Sequence, residues 1–431
     1  MLRWISRIGK SCKFPSNHDR NLGFRYSQRY SLVNVKLTWV KDNVLDSVVT
    51  GERELRAAWV IVSTIAADPG CCLPIYRLSG RRRGQLGLPE YLKVSTFMRK
   101  YPNIFSEFHL PDTGGTLVPW FRLSPHAIEL HQESMAVFNQ NQKDFLDRIT
   151  KLLLLTNNTI LPLQTIDQLK WDLGLPHDYL DSIVTKHQNI FSLINLPDSR
   201  LALKLISKPD TLPLSQLQKN AIFQKREDDV RNNKLSFKIG FPRGFGLNKK
   251  SIKWLDEWQM LPYTSPYSDS SDLDPRTDVS EKRIVGVFHE LLNLTIEKKT
   301  DRKNVSNLRK PLNLPQKFTK VFERHPGIFY LSKKNNTQTV VLREAYDGHR
   351  IVEKHPISEI RNRFGCLMKE GFLDKSRGLY KKKEIGLKSG EEDELDNVCE
   401  NGFKLGEESE GHMFSEYESD ETTAHLFRLC D

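Results

Sequence analysis

Three stretches along the chain share one pattern of apolar and polar positions. Each opens with Leu-Pro, continues with apolar residues at helical spacing and closes with an Ile-Phe pair. Proline is tolerated in the first turn of a helix, and spacings of three and four residues put the apolar side chains on one face. The pattern predicts an amphipathic helix that ends just before each pair. The copies are "LPEYLKVSTFMRKYPNIF" at 88–105, "LPHDYLDSIVTKHQNIF" at 175–191 and "LPQKFTKVFERHPGIF" at 314–329.

The segments that flank these copies repeat as well. An apolar helix, a polar bridge and a second short helix are predicted before the last two copies. A strand, a polar turn and another strand are predicted after all three, and Asn335-Asn336 supplies the turn in the last hairpin. Helix, helix, helix and hairpin is the order of a winged-helix module. The sequence therefore predicts a mostly α fold with short β-hairpins (α+β), built from tandem winged-helix-like helical modules.

The Ile-Phe pairs are predicted to form the structural core of the repeat. Each pair stands where a third helix turns into its wing, so that it can anchor both elements. Chance recurrence of helices that end in such pairs is the alternative, and the shared flanking order argues against it. The six residues are Ile104, Phe105, Ile190, Phe191, Ile328 and Phe329.

Composition divides the chain further. A basic and aromatic connector at 225–263 separates the second module from the third, and the Pro/Ser/Asp-rich segment 264–282 is predicted to be a flexible linker. Two helices separated by Gly51 are predicted within "VKLTWVKDNVLDSVVTGERELRAAWVIVSTI". The three modules are predicted at about 35–134, 143–207 and 281–374.

Charge is distributed unevenly along the chain. The formal net charge is +11, but residues 391–431 hold 14 acidic and only 2 basic side chains. The first 390 residues therefore carry 63 basic and 40 acidic side chains, a surplus of 23 positive charges. A field of this sign favours a polyanionic partner, and solubility alone is the alternative. The acidic end, 385–431, is predicted to be a disordered tail.

Residues 1–32 have the composition of an organelle targeting presequence. Seven arginines and lysines recur between serines, Asp19 is the only acid, and there is no apolar core long enough for a secretory signal. Leu2, Ile5 and Ile8 can share one helical face opposite the arginines. This arrangement favours import into the mitochondrion, with the chloroplast and a merely disordered basic tail as alternatives.

No catalytic constellation is found in the sequence. The stretch "GFPRGFGLNKKS" lacks the contiguous Gly-Lys-Ser of a phosphate-binding loop, and His126 and His131 are five residues apart, off one helical face. The six cysteines include no Cys-x-x-Cys pair. The longest apolar run, 57–67, is too short to cross a bilayer. The sequence predicts no enzyme, metal, cofactor, small-molecule substrate or membrane partner.

Cations interleaved with aromatic rings supply the candidate nucleic-acid contacts. Guanidinium groups pair bidentately with phosphates, and aromatic rings stack on unpaired bases. An ordinary solvated turn is the alternative for the arginine triplet at 81–83, and Trp254 and Trp258 fit a core better than a stacking platform. The candidates are Arg81, Arg82, Arg83, Arg99, Lys100, Trp120, Arg122, Lys238, Arg243, Phe245, Lys249, Lys250 and Lys253.

Five phrases of the chain together resemble the plant organelle RNA recognition domain family, over about residues 35–374. The resemblance implies a nucleus-encoded plant protein that is imported into mitochondria or chloroplasts. It implies binding of organellar intron RNA and promotion of group II intron splicing, with other splicing factors in a ribonucleoprotein. It assigns no RNA contact to any residue. The phrases are "VKLTWVKDNVLDSVV", "LPEYLKVSTFMRKYPNIF", "LPHDYLDSIVTKHQNIF", "KIGFPRGFGLNKKSIKWLDEWQMLPYTSPY" and "LPQKFTKVFERHPGIFYLSKKNNTQTVVLREAY".

Two functions of other classes stay open. Winged helices also read duplex grooves, so the chain would suit a DNA-binding regulator of organelle gene expression. Repeated modules whose charge serves only solubility would suit a protein-assembly scaffold. The dependence of binding on salt separates these functions, because neutralising phosphates releases counterions.

Overall fold

The computed structural model of the chain describes residues 35, 37–79, 86, 88, 92–112, 114–207, 209, 211–334 and 338–376. Four predictions fall outside the described residues and stay predictions. They are the presequence at 1–32, the triplet of Arg81, Arg82 and Arg83, the Asn335-Asn336 turn and the acidic tail at 385–431.

Two helices open the described part of the chain. Helix α1 spans Asn43–Val49 and helix α2 spans Glu52–Ala66. The Asp42 side chain accepts hydrogen bonds from two first-turn N–H groups of α1, which have no partner inside the helix. Gly51 joins the helices with a φ of 82°, a backbone conformation that favours glycine. The prediction of two helices separated by Gly51 is confirmed.

Three units, numbered 1 to 3 along the chain, then repeat one order of elements: helix, short strand, helix, third helical segment and hairpin. Unit 1 consists of α2, β1 (Cys72–Pro74), α3 (Ile75–Ser79), α4 (Val94–Lys100), β2 (Phe105–Pro111) and β3 (Leu117–Leu123). After α5 (Pro125–Gln140), unit 2 consists of α6 (Gln142–Leu155), β4 (Ile160–Pro162), α7 (Leu163–Leu169), a π-helical turn (Leu180–Val184) with a 3₁₀ turn (Thr185–His187), β5 (Phe191–Asn195) and β6 (Leu201–Leu205).

The connector and the last unit complete the described chain. The connector contains α8 (Gln216–Phe223), α9 (Glu227–Arg231) and α10 (Lys249–Gln259). Unit 3 consists of α11 (Asp278–Leu294), β7 (Lys299–Asp301), α12 (Arg302–Asn307), α13 (Lys320–Arg324), β8 (Phe329–Ser332) and β9 (Thr339–Leu342). A small hairpin, β10 (Tyr346–Asp347) and β11 (Arg350–Ile351), and the long helix α14 (Pro356–Ser376) follow. Helices with small antiparallel sheets confirm the predicted fold class.

Each unit has an antiparallel sheet of three strands in which the last strand lies in the centre, with the orders β1-β3-β2, β4-β6-β5 and β7-β9-β8. The sequence predicts the hairpins but not the first strand, because three residues are too few for an alternating pattern. A left-handed residue precedes that strand in every unit, and its carbonyl accepts from the end of the central strand. These donor and acceptor pairs are Leu123 to Cys71 at 3.3 Å, Leu205 to Thr159 at 3.0 Å and Leu342 to Lys298 at 2.9 Å.

The Ile-Phe pairs mark the start of each hairpin. In every unit the isoleucine N–H donates to a carbonyl three residues earlier, and the phenylalanine is the first residue of the strand. Phe105, Phe191 and Phe329 are 3%, 2% and 0% exposed. Ile104 and Ile328 are also buried, and Ile190 is partly buried against the same core. The pairs therefore anchor the wings to the helices.

Each end of the described chain packs on the unit at the opposite end. Helix α1 packs on the sheet of unit 3, whereas α14 places Phe364 and Met368 in the core of unit 1. A second, larger core runs through unit 2, the connector and unit 3. The modules predicted at 35–134 and 281–374 include α1 and α14, but each of these helices packs on the other module. Contacts between distant parts of the chain leave no local sequence pattern, so the sequence could not predict them.

The segment 264–282, expected to be a flexible linker, is packed in the structure. Tyr267 is buried, and its hydroxyl donates to a Glu290 carboxylate oxygen at 2.7 Å. Helix α11 already begins at Asp278, with the Thr277 side chain as its N-cap. The serines and prolines of the segment favour a loose loop, but tertiary contacts with α11 override that preference.

A buried polar network joins the three units. The Trp171 indole N–H of unit 2 donates to Glu52 Oε1 of unit 1 at 2.9 Å. In unit 3, Lys299 Nζ lies 3.0 Å from Glu52 Oε2 and 2.7 Å from Glu297 Oε2. Arg361 of α14 donates to the Trp171 carbonyl at 2.8 Å, and its guanidinium lies 3.6 Å from the centre of the Trp171 ring. Buried charges are tolerated when they are paired in this way.

Among the residues that the structure describes, no helix combines the length and the apolar character needed to cross a membrane.

Candidate nucleic-acid interface

The outer face of the unit 1 sheet carries two aromatic rings and a cation. The register of β2 and β3 pairs Phe108 with Trp120 and Ser106 with Arg122, so these four side chains lie on one face. The ring centroids of Phe108 and Trp120 are 6.3 Å apart, and the Arg122 guanidinium lies 5.7 Å from the Phe108 centroid. Arg122 is exposed and both rings are half-buried. We call these four residues the unit 1 face.

The unit 1 face has the chemistry of a site for unpaired bases. Aromatic rings stack on bases without regard to sequence, and a guanidinium beside them neutralises the neighbouring phosphate. The structure brings the predicted Trp120 and Arg122 together. The sequence analysis missed Phe108 because the register of the hairpin is set by its turn, where Asp112 N donates to the Thr116 carbonyl at 2.9 Å.

Arg99 and Lys100, both predicted contacts, are paired with carboxylates. Arg99 donates twice to Glu107, at 2.7 and 2.6 Å, and this hydrogen bond raises the pKa of Arg99 and lowers the pKa of Glu107. Lys100 Nζ lies 2.8 Å from Glu54 Oε1. Because each charge is balanced locally, these two residues contribute less to the positive field than the sequence suggests.

Helix α10 presents a row of lysines to solvent. The Asn248 side chain caps its first turn by accepting from Ser251 N at 2.7 Å. Trp254 and Trp258, 4% and 1% exposed, face the core, so they are core residues rather than stacking platforms. The opposite face exposes the predicted contacts Lys249, Lys250 and Lys253, which we call the α10 lysines.

The remaining connector candidates lie between α9 and α10. Arg243 is exposed, and the half-buried Phe245 stacks on Phe241 with ring centroids 4.5 Å apart. Lys238 is exposed at a cleft of about 400 Å³ between the connector and unit 3. The backbone holds this stretch in place, since Gly240 N donates to the Gly327 carbonyl at 2.8 Å.

Buried charges beneath the connector have structural partners. Lys282 Nζ donates to the Leu235, Gln259 and Leu261 carbonyls at 2.7, 2.8 and 2.7 Å, and burial lowers the pKa of Lys282 to about 7. His325 Nε2 lies 2.7 Å from Glu281 Oε1, while burial lowers the pKa of His325. The Lys282 bonds hold the connector on unit 3, whereas the bond between His325 and Glu281 lies within unit 3. Neither buried group is open to a ligand.

The predicted contacts thus form two groups in different parts of the fold. Trp120 and Arg122 lie on the sheet of unit 1, and the α10 lysines lie on the connector. Arg81, Arg82 and Arg83 lie outside the described residues. Within the ranges that the structure describes, no cluster of three or more His, Cys, Asp or Glu side chains is arranged to hold a metal ion.

Known proteins are similar to this chain over most of its length. The plant organelle RNA recognition domain model matches residues 40–373. Protein WHAT'S THIS FACTOR 9, mitochondrial, from Arabidopsis thaliana is 38% identical over 349 residues, covering 80% of this chain and 88% of that protein. Protein ROOT PRIMORDIUM DEFECTIVE 1 from the same plant is 30% identical over 342 residues, covering 76% of this chain and 82% of that protein.

More distant relatives carry a different organelle in their names. Protein WHAT'S THIS FACTOR 1 homolog, chloroplastic, from Arabidopsis thaliana is 27% identical over 382 residues, covering 87% of this chain and 70% of that protein. No solved structure gives a significant match. The matched segment 40–373 contains the three repeated units, the connector and most of α14. The chain belongs to the plant organelle RNA recognition domain family.

Proposed function

We propose that this protein binds group II intron RNA in a plant organelle and promotes splicing by stabilising the folded intron. The observation that carries the proposal is the unit 1 face, where Trp120, Phe108 and an exposed Arg122 lie together on an open sheet. Family membership makes RNA the polyanion for which this surface is suited.

The protein acts by binding and not by catalysis. A group II intron supplies its own reactive groups, and its obstacle is the repulsion between phosphates that must approach one another. Lysines and arginines of the basic body, which carries a surplus of 23 positive charges over the first 390 residues, lower that repulsion. Aromatic and polar groups select unpaired bases in the loops of the folded RNA.

The organelle is the mitochondrion. The relative with 38% identity is named mitochondrial, and the arginines of residues 1–32 suit a mitochondrial presequence. The chloroplast is the alternative, since relatives with 27% identity are named chloroplastic. Other splicing factors join the protein on the intron, where a basic scaffold of several units leaves room for them.

Duplex DNA is the second candidate ligand, because winged-helix units commonly read it through their third helix. The third helix of unit 1 is α4, and its cations Arg99 and Lys100 are held by Glu107 and Glu54. In unit 3 the corresponding Arg324 lies 2.9 Å from Glu281. Because these cations are already paired with carboxylates, they are poorly placed to contact phosphates along a major groove. This pairing favours RNA on the sheet face over duplex DNA on the third helix.

A salt series tests the proposal. Purified 431-residue protein is titrated into a labelled mitochondrial group II intron transcript, and separately into duplex DNA of the same sequence, from about 50 to 200 mM salt. We expect tighter binding to the transcript and a linear fall of log K with log salt. Preference for the duplex would support a DNA-binding regulator, and a flat salt response would support a protein scaffold.

A further inference from the structure

The sheet of unit 2 has a concave outer face of its own. Its cavity of about 630 Å³ lies over β4, β5 and β6 and is lined by Asn157, Asn158, Thr159, Ile160, Ser192, Ile194, Lys204, Leu205 and Ile206. Among the described residues of this lining, Lys204 is the only charged one. Lys204 and both asparagines are exposed, and within the described ranges their side chains have no hydrogen-bonding or ionic partner. We call this surface the unit 2 face.

The unit 2 face matches the unit 1 face in the register of its cation and its serine, whereas Ala202 and Ile194 stand where unit 1 has Trp120 and Phe108. On the central strand, Arg122 of unit 1 pairs with Cys72 and Ser106, whereas Lys204 of unit 2 pairs with Ile160 and Ser192. Arg122 and Lys204 therefore occupy the same place, at the centre of an outer face. Each is an exposed cation beside a serine of the neighbouring strand.

In unit 3 the same position is apolar and covered. Val341 stands on the central strand between Lys299 and Tyr330, and it is buried beneath Leu45 and Val49 of α1. A helix that docked on the unit 2 face as α1 docks on unit 3 would bury the Lys204 ammonium. Its position would be the one that Val341 occupies in unit 3. Burial of an unpaired charge is strongly unfavourable, so this face suits an anion better than an apolar helix.

We propose that the unit 2 face binds a single-stranded segment of RNA and is a second base-reading site of the chain. Ile160 and Ile194 form an apolar floor on which a base lies flat. The Asn157 and Asn158 amides, each with donors and an acceptor, contact the edge of that base, and Lys204 neutralises the adjoining phosphate. This inference rests on the proposed function, since it requires the chain to bind RNA.

The test compares charge reversal at two exposed lysines of the same unit. Lys204→Glu changes the unit 2 face, and Lys186→Glu makes the same charge change in the 3₁₀ turn, outside the face. Binding of the full chain to fluorescein-labelled 20-nucleotide oligo(A), oligo(U) and oligo(C) RNA is followed by anisotropy across a salt series. We expect Lys204→Glu to weaken binding at least fivefold and to lower the salt slope by about one, and Lys186→Glu to stay within twofold of wild type.

A second variant tests the role of Asn157 and Asn158, whose exposed side chains can be removed without disturbing the core. We expect Asn157→Ala/Asn158→Ala to reduce the difference in affinity among the three oligonucleotides while the salt slope is unchanged. In a cross-linking experiment with 4-thiouridine RNA, we expect the modified peptides to include 157–160 or 192–206.

Three outcomes would overturn the inference. If Lys204→Glu binds RNA like Lys186→Glu while Arg122→Ala is impaired, the unit 2 face is not a site but the proposed function stands. If the wild-type chain binds none of the RNA probes, both fall. If Lys204→Glu keeps full RNA affinity but loses a protein partner in pull-downs from organelles, the face binds protein instead.

Discussion

Lys299 of unit 3 and Glu52 of unit 1 form an ion pair, with Nζ 3.0 Å from Oε2, although the lysine is only 3% exposed. Burial disfavours the ammonium, but Glu297 and Glu52 more than offset that effect and hold the pKa of Lys299 well above its ordinary value. The pair therefore joins the first unit of the chain to the last.

Lys299→Met tests this arrangement. The change leaves Glu52 and Glu297 without their cation, and we expect the free energy of unfolding to fall by about 3 to 5 kcal/mol. Urea unfolding followed by tryptophan fluorescence measures it. Lys303→Met, at an exposed lysine of α12, is the matched control and should change stability by less than about 0.5 kcal/mol. Equal effects of the two variants would contradict a role for the pair in joining units.

Asp172 gives the fold a pH dependence. Burial raises the pKa of its carboxyl to about 7 and the Glu52 charge adds to this, while the hydrogen bond from Thr300 opposes it. The unfolded carboxyl titrates near pH ~3.9, so between about 4 and 7 the folded state holds a proton that the unfolded state has lost. This contribution to stability is complete below the unfolded pKa and is lost as pH rises to about 7.

Asp172→Asn should remove that dependence, because the amide stays neutral. We expect the variant to be more stable than wild type at pH 7 and above, by at most about 4 kcal/mol, and the difference to shrink towards pH 4. Thermal unfolding across this range measures it. Asp181→Asn, at an exposed position of the same unit, should leave the pH profile unchanged. A constant difference across the pH range would count against a protonated Asp172.

Trp120 and Arg122 are expected to contribute differently to RNA affinity. Trp120→Ala removes a stacking surface, and we expect binding of the intron transcript to weaken by about 1 to 3 kcal/mol. Arg122→Ala removes a phosphate contact and should lower the slope of log K against log salt by about one. Anisotropy titrations measure both. Arg363→Ala removes an exposed arginine that lies beside Glu133, and its affinity should match wild type. An equal loss in Arg363→Ala and Arg122→Ala would mean non-specific charge binding.

The two faces of helix α10 are expected to have different roles, the buried face in stability and the exposed face in RNA binding. Trp258 packs against His325 with ring centroids 4.2 Å apart, and we expect Trp258→Ala to cost about 3 to 5 kcal/mol of stability. Lys250→Ala should change stability by less than about 0.5 kcal/mol but weaken RNA binding. Urea unfolding and anisotropy are measured on the same samples. If Trp258→Ala keeps full stability and loses RNA affinity, the tryptophan is a stacking platform after all.

Gly174 is required where unit 2 meets unit 3. Its φ is +72°, and a Cβ there would overlap Ile296 Cγ1. Gly115 has nearly the same φ, +79°, with open space around it. We expect Gly115→Ala to cost only the backbone strain, about 1 to 2 kcal/mol, and Gly174→Ala to cost about 1 to 3 kcal/mol more from overpacking. Chemical unfolding of both variants measures the difference, and equal losses would show that the packing at Ile296 relaxes freely.

The candidate site was only partly predictable. Trp120 and Arg122 are two residues apart on one strand, so alternation alone puts them on the same face. Phe108 joins them through a register that the hairpin turn sets. Lys204 is a single lysine in a short strand, and it becomes a candidate only when its position is matched to Arg122 in the folded sheets.

The sequence by itself determined the local elements and their repetition. Helical spacing and the Ile-Phe ends are features of residues close together in the chain, and they predicted the three hairpins. The predicted helix starts at Leu-Pro were wrong, because the third helical segments begin later, at Val94, Leu180 and Lys320. The charge surplus of the body could also be counted directly. Such properties need no knowledge of what lies across the core.

Only the tertiary structure decided which faces are free. Helix α1, from the other end of the chain, covers the sheet of unit 3. Arg99 and Lys100, which the sequence predicts as RNA contacts, form ion pairs with Glu107 and Glu54. A side chain's exposure and its ionic partners depend on residues far away in sequence, because burial and charge pairing act through space rather than along the backbone.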